Sequence, residues 1–180
     1  MIFPKDFPEI KVSKYFLRKA RKDDAPFFFE YLTDPETIKH TSYDVKDVSE
    51  IENWFTDYEI LFSKQQRISW IIEDTTTNKP IGDINFFDVQ LNHQKGEIGY
   101  FLCKEYWGKG VMSEILSKIL DYLFDTLQTH RIQAIVIEEN LGSRRLLEKN
   151  GFTVEGTLKD YKNCRGKYFD FILHSKISEN

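Results

Sequence analysis

The sequence predicts a mixed α/β domain, one sheet of seven strands with helices on its faces, and three observations carry that expectation. Residues 68–73, 81–89 and 97–102 are short apolar-rich segments joined by polar turns at 75–80 and 90–96, the pattern of antiparallel hairpins. Met112, Ile115, Leu116, Ile119, Leu120, Leu123 and Leu127 recur at the helical period and form one apolar face. Residues 132–137 are almost continuously apolar, as in a strand buried on both faces.

The remaining elements follow in chain order. Residues 15–20 read as an opening strand. Asp23 and Asp24 are helix-start signals for residues 25–32, and Asp47 or Ser49 plays the same part for a second helix running through Phe62. A short helix over 143–150 ends at Gly151, which supplies the left-handed position after the last turn. Two closing strands, 152–161 and 167–176, flank a turn at 163–166. The order β, α, α, β, β, β, α, β, α, β, β belongs to one mixed sheet, so residues 1–180 are read as a single domain, with no repeat or linker to divide them.

Composition narrows the class. Aromatics at 15% with 41% apolar residues suffice for a packed core without staples. The two cysteines, Cys103 and Cys164, have no CxxC spacing and the four histidines do not cluster, so no metal is expected. No apolar run reaches the roughly 20 residues of a membrane span, and the first ten residues carry Pro and charges in place of a leader's apolar stretch. The expectation is a cytoplasmic protein without a membrane partner, monomer or homodimer. A net charge of −4 argues against nucleic acid. The charge is uneven. Between Asp23 and Glu59 eleven acidic residues face only Lys39 and Lys46, a balance of −9 that leaves the rest of the chain at +5. An acidic lobe can draw in a cation, although a solvated helix face gives the same pattern.

The most informative stretch is EIGYFLCKEYWGKGVMSE, residues 97–114, where a strand passes through Gly108 and Gly110 into the long helix. Glycines free the backbone to turn and let an anion approach the unpaired N–H groups at a helix start. A plain tight turn needs the same two glycines. The Walker string is absent, and Gly108, Gly110 and Ser113 lack the third glycine of a dinucleotide turn; a dinucleotide-dependent oxidoreductase stays as a rival to be tested by ligand stabilisation.

YWGKGVMSE resembles the acetyl-CoA-binding motif of the GNAT superfamily, in the version of its RimJ/RimL-type ribosomal-protein N-acetyltransferase branch. A second match lies downstream, where Asn140, Ser143, Leu147, Glu148, Lys149, Gly151 and Phe152 resemble that branch's N-x-x-S…EK-x-GF signature. The resemblance implies a mixed, mostly antiparallel seven-stranded sheet with helices on both faces, and transfer of an acetyl group from acetyl-CoA, without metal, to a primary amine: a protein N-terminus, a polyamine or an aminoglycoside-like amine. It implies that main-chain groups of Phe101 and Leu102 pair with the pantetheine arm, that an amide near Tyr100 or Phe101 faces the thioester carbonyl, and that Trp107, Gly108, Lys109, Gly110, Val111, Met112 and Ser113 form the pyrophosphate loop. Met112 stands where the superfamily often has Gly or Ala, a change that spares the backbone amide. Asn140 is implied to hydrogen-bond the pantetheine arm.

The superfamily's tyrosine acid maps to Leu147; the resemblance to the RimJ/RimL-type branch, which offers the serine of this motif instead, implies Ser143 as the source of the thiolate's proton or as the holder of the water that gives it, and Ser143 is equally the cap of the helix after it. The resemblance implies a carboxylate base on the strand after Gly151, for which Asp160 is the nearest fit, with Glu155 and Glu97 behind it; an ordinary surface pairing of Asp160 with Lys159 or Lys162 competes. The missing tyrosine also admits a non-catalytic acyl-CoA-binding module on the same fold. The acceptor is expected to be read by residues 33–47 and the late strands.

Overall fold

A computed structural model describes residues 1–38, 41 and 44–179. The strands are β1 (Ile10–Val12), β2 (Tyr15–Arg18), β3 (Ile68–Asp74), β4 (Lys79–Gln90), β5 (Lys95–Leu102), β6 (Arg131–Ile137), β7 (Thr153–Cys164) and β8 (Lys167–Ile177). The helices are α1 (Ala25–Leu32), α2 (Pro35–Ile38), α3 (Val48–Ser63), α4 (Val111–Asp121) and α5 (Leu141–Lys149). Among the described residues the sheet has eight strands rather than seven, in the order β1-β2-β3-β4-β5-β6-β8-β7. The addition is β1, three residues turned onto β2 through Ser13 at φ 49°, too short for an alternation to declare itself.

Every neighbouring pair is antiparallel except β5 and β6. Strand alternation sends one set of side chains to each side. Trp70, Ile84, Phe86 and Ile98 pack with Ile115, Leu116 and Ile119 of α4 in the larger core, while Ile71 meets Phe28, Leu32, Ile51 and Phe55 of α1 and α3 in a second core. Beyond α4 the helix widens into a π turn over Tyr122–Thr126, keeping Leu123 and Leu127 buried. The apolar strand 132–137 is less enclosed than its composition suggests: Ile132, Ala134 and Val136 are buried, but Gln133 and Ile135 are partly open on the other face.

The feature that positions the site is the short contact between β5 and β6. Their parallel pairing runs only through Lys95↔Arg131, Gly96↔Ile132 and Glu97↔Gln133. Past that point β6 continues on β8 alone, and β5 stays on β4 through Leu102↔Gly82. The sheet therefore forks at Glu97. Gly82 lets β4 support the free arm closely: a Cβ there would stand 2.2 Å from the Phe101 carbonyl oxygen and 3.0 Å from the Leu102 Cα. Both are backbone atoms and cannot swing aside. Gly82→Ala is expected to destabilise the fold by about 1–3 kcal/mol, read as a lower urea midpoint with unchanged m-value.

Candidate active site

The two-residue period of β5 divides its backbone between β4 and the fork. Cys103 N–H donates to the Ile81 carbonyl at 2.8 Å, so in this antiparallel register residues 103, 101, 99 and 97 turn their polar groups to β4. Tyr100 and Leu102 turn theirs away, into the fork. This corrects the expected pairing residues. Phe101 offers the fork no main-chain group, and its ring instead joins the α1/α3 face. The Leu102 carbonyl is already taken, by the Tyr31 hydroxyl and by Trp107 Nε1 at 2.6 Å. Trp107 thus fixes the end of the arm through its indole. What the fork retains is the N–H and carbonyl of Tyr100 and the N–H of Leu102.

From this arm the chain turns through residues 104–110 into α4. Gly108 and Gly110 adopt φ of 68° and 79°, and a Cβ on either would meet nothing within 4 Å. The left-handed angle, not crowding, requires glycine at both. Among the described residues no protein acceptor takes the N–H of Gly108, Lys109, Gly110, Val111, Met112 or Ser113. Gly110 caps α4 with no side-chain bond, leaving the positive end of an 11-residue helix open to an anion. Lys109 is exposed, its Nζ 5.9 Å from the Tyr106 ring centre, and Met112 is buried in the core under its own free amide.

The second motif faces the fork from α5. Asn140 caps this helix, its Oδ1 accepting the Ser143 N–H at 3.1 Å. The helix starts at Leu141, so Ser143 lies within the first turn and is not the cap. Its Oγ is free for Tyr100, whose hydroxyl lies 2.7 Å away. Burial pushes the Tyr100 phenol above its ordinary pKa and keeps it protonated. Sequence spacing could not show this pair, since β5 and α5 meet only through the fold. Leu147, at the position where the superfamily places its tyrosine, is fully buried in the larger core.

The three candidate bases differ sharply. Asp160 sits exposed in a β7 bulge at φ 46°. Its N–H donates to Asp170, and Lys159 pairs with Asp170 rather than with Asp160, so neither a base-like environment nor the expected Lys159 pairing is found there. Glu155 grips Arg131 at 2.7 and 2.5 Å and accepts from Ser175 Oγ at 2.6 Å. The Arg131 hydrogen bonds, then that of Ser175, hold its carboxyl down at about 2, too acidic to collect a proton. Glu97 stands at the fork itself, 9% exposed, accepting from Gln133 Nε2 at 3.2 Å. Burial raises its pKa above the usual glutamate value. It lines a cavity of about 430 Å³ with Arg67, Phe87, Asp88 and Gln133.

Other expectations also receive structural answers. The acidic lobe spends much of its charge internally: Asp24 pairs with Arg18 at 2.8 Å, Asp34 with Lys104 at 3.3 Å and Glu59 with Lys19 at 2.8 Å, while Asp47 and Glu50 cap α3. Of the expected acceptor-reading stretch, Lys39, His40, Ser42 and Tyr43 lie outside the described residues; Arg165 on the late hairpin donates to the Ile38 carbonyl beside it at 2.9 Å. Cys103 is buried, which pushes its thiol up to about 12 and makes it a poor nucleophile. Among the described residues no helix is long and apolar enough to cross a membrane, and no group of three metal-binding side chains occurs.

A forked sheet with an unpaired strand arm and a donor-rich helix start defines a domain suited to an extended, phosphate-bearing acyl carrier. Residues 14–153 match the acetyltransferase (GNAT) domain, and the chain belongs to that family; it is an N-acetyltransferase, and acetyl-CoA is the acyl donor of its class. The uncharacterized N-acetyltransferase YoaA of Bacillus subtilis is 32% identical over 174 residues, 95% of this chain and 97% of that one. The structure of RimL, a ribosomal α-N-protein acetyltransferase, in complex with coenzyme A superimposes with a TM-score of 0.85 at 21% identity, covering 94% of this chain and 98% of that one. Spermidine N-acetyltransferase from Vibrio cholerae, in complex with CoA and spermine, gives 0.79 at 23% identity, with 92% and 96% covered.

The Glu155 clamp yields a test of its structural role. A depressed folded-state pKa stabilises fully above the ordinary value of 4.5 and fades as pH falls to about 2. Glu155→Gln is therefore expected to lower the urea midpoint at pH 7, with the gap to the parent closing between pH 4.5 and 2.

Proposed function

We propose that the chain moves the acetyl group of acetyl-CoA to a primary amine by direct attack on the thioester, with no acyl-enzyme intermediate. The observation that carries this reading is the fork: β5 parts from β6 after Glu97 and leads on to amides 108–113, which no group among the described residues accepts from. Bound acetyl-CoA supplies the activated acyl group; this chain supplies position and proton handling. The free amides of residues 108–113 hold the diphosphate, with Lys109 beside them, and the groups of Tyr100 and Leu102 in the fork hold the pantetheine arm as a short added strand would. The Asn140 side-chain amide, whose oxygen is spent on the cap, has its NH₂ left to donate to the same arm.

The Tyr100 N–H points into the fork, where it stabilises negative charge on the thioester oxygen as the amine adds. Glu97, at the vertex and on the acceptor face, takes the proton the amine must lose as the C–N bond forms. The Ser143 hydroxyl, held by Tyr100, donates a hydrogen bond to the sulfur as the C–S bond breaks, and the departing thiolate takes its proton from water. Glu97 replaces Asp160 in this reading because it is buried at the fork, which raises its pKa above the usual glutamate value, whereas Asp160 stands exposed on a β7 bulge. The acceptor is a primary amine, either a protein N-terminus or a small cationic amine, the classes for which the compared ribosomal-protein and spermidine enzymes are named.

Mixing the protein with acetyl-CoA and a panel of amines is expected to release free thiol; retention of acetyl-CoA with no release from any amine overturns the transfer reading. Glu97→Gln is expected to lower kcat/KM by about 10²-fold or more. It also removes the acidic limb of the pH–rate profile, which in the parent rises as the buried carboxyl ionises above the ordinary glutamate pKa. Ser143→Ala is expected to cost about tenfold in kcat, roughly 1.4 kcal/mol, with the KM for acetyl-CoA little changed.

A further inference from the structure

On the same face of the sheet as Glu97, but at the far end of the β5 arm, lies a recess lined by Phe28, Trp54, Phe55, Tyr58, Phe101 and a single acid, Asp83. The register makes Asp83 the direct cross-strand partner of Phe101, and such partners on one face have Cα atoms about 5.5 Å apart. Aromatic packing closes most of the recess: Phe28 meets Phe55 edge-on at 5.7 Å and Phe101 at 6.1 Å, and Phe55 lies 6.0 Å from Tyr58. The space left, about 10 Å³, is the size of one water or one ammonium head.

A carboxylate set among five rings needs a reason. Desolvation by those rings pushes the Asp83 pKa up to about 6, against weaker opposing pulls from Asn85 and Arg67, so its charge is held at a cost to the fold. Among the described residues no salt bridge joins it to a base. The nearest cation, Arg67, is committed elsewhere: it donates to Ser69 at 2.6 Å and Asn85 at 3.0 Å and lies over the Tyr58 ring at 4.3 Å. Negative charge set among aromatic side chains is complementary to an alkylammonium ion, which gains both the counter-ion and the ring quadrupoles.

We infer that this recess binds the second cationic nitrogen of a diamine acceptor, with Asp83 as its counter-ion and the Trp54 and Phe101 rings as its cage. The inference rests on the transfer reading above and deepens it by naming an acceptor class. Its geometry follows from β5, since the Tyr100 amide that faces the thioester is one residue from Phe101. Strand spacings place Asp83 roughly 6–9 Å from the reacting nitrogen, the reach of a chain of about four or five carbons between two amines.

Putrescine and n-butylamine share a four-carbon chain and differ in the second amine, so they isolate the recess. The parent enzyme is expected to favour putrescine by about tenfold in kcat/KM, and Asp83→Asn is expected to abolish that preference through KM rather than kcat. Trp54→Leu, which keeps an apolar filling but removes the ring, shifts the preference in the same direction. Calorimetry on the CoA-bound parent measures binding independently of turnover, and tighter binding of putrescine than of butylamine is expected, lost in Asp83→Asn. Equal binding of the two amines by the parent, or a preference that survives Asp83→Asn, overturns the inference while leaving acetyl transfer standing. Thiol release from no amine alongside Asp83-dependent putrescine binding overturns the transfer reading and leaves the recess standing.

Discussion

Everything in the site depends on the separation of two neighbouring strands. Backbone N–H and C=O groups removed from water must find partners, and in an ordinary sheet the neighbouring strand provides them. Here β5 and β6 pair for three residues and then diverge at Glu97, so the end of β5 keeps hydrogen-bonding capacity that no described residue uses. The divergence is held open from both sides. On one, Gly82 brings β4 against Phe101 and Leu102 more closely than a side chain would allow; on the other, β6 is bound along its whole length to β8.

The same fork separates two chemical compartments. Side chains at even positions of β5, Ile98, Tyr100 and Leu102, face α4 and α5, where the glycine turn and Ser143 lie. Odd positions, Glu97 and Phe101, face α1 and α3, with the large cavity at one end and the Asp83 recess at the other. A carrier lying in the fork would therefore expose its thioester to an amine arriving from the opposite face. Charge follows this division: Glu97 and Asp83 are both desolvated acids on the α1/α3 side, whereas the α4/α5 side offers amides and a helix dipole.

Particular residues show where sequence reasoning reached and where it stopped. The glycine turn, the long helix and the meander were legible because each is a local pattern whose cause lies within a few residues; the cap before α5 was read at Ser143, three residues past Asn140, which the structure makes the cap. Phe101 was misassigned because the direction of a backbone carbonyl depends on strand parity, and parity is set by the register with β4. Asp160 and Glu97 are both carboxylates on strands; burial separates them, and burial is a property of the neighbours. The Ser143–Tyr100 contact spans 43 positions and leaves no trace in spacing. Leu102 looked free until the fold brought Tyr31 and Trp107 to its carbonyl.

The amino-acid sequence by itself determined the order of elements, the glycine-led entry to α4 and the presence of an anion-receptive helix start, since periodicity, propensity and φ restrictions act over short stretches of chain. Only the tertiary structure decided which backbone groups of the described residues remain unpaired, that Glu97 is the buried one of the three candidate carboxylates, and that Asp83 lies within an aromatic recess. Those properties arise from the packing of residues distant in sequence, and hydrogen-bond satisfaction and desolvation have no value until that packing exists.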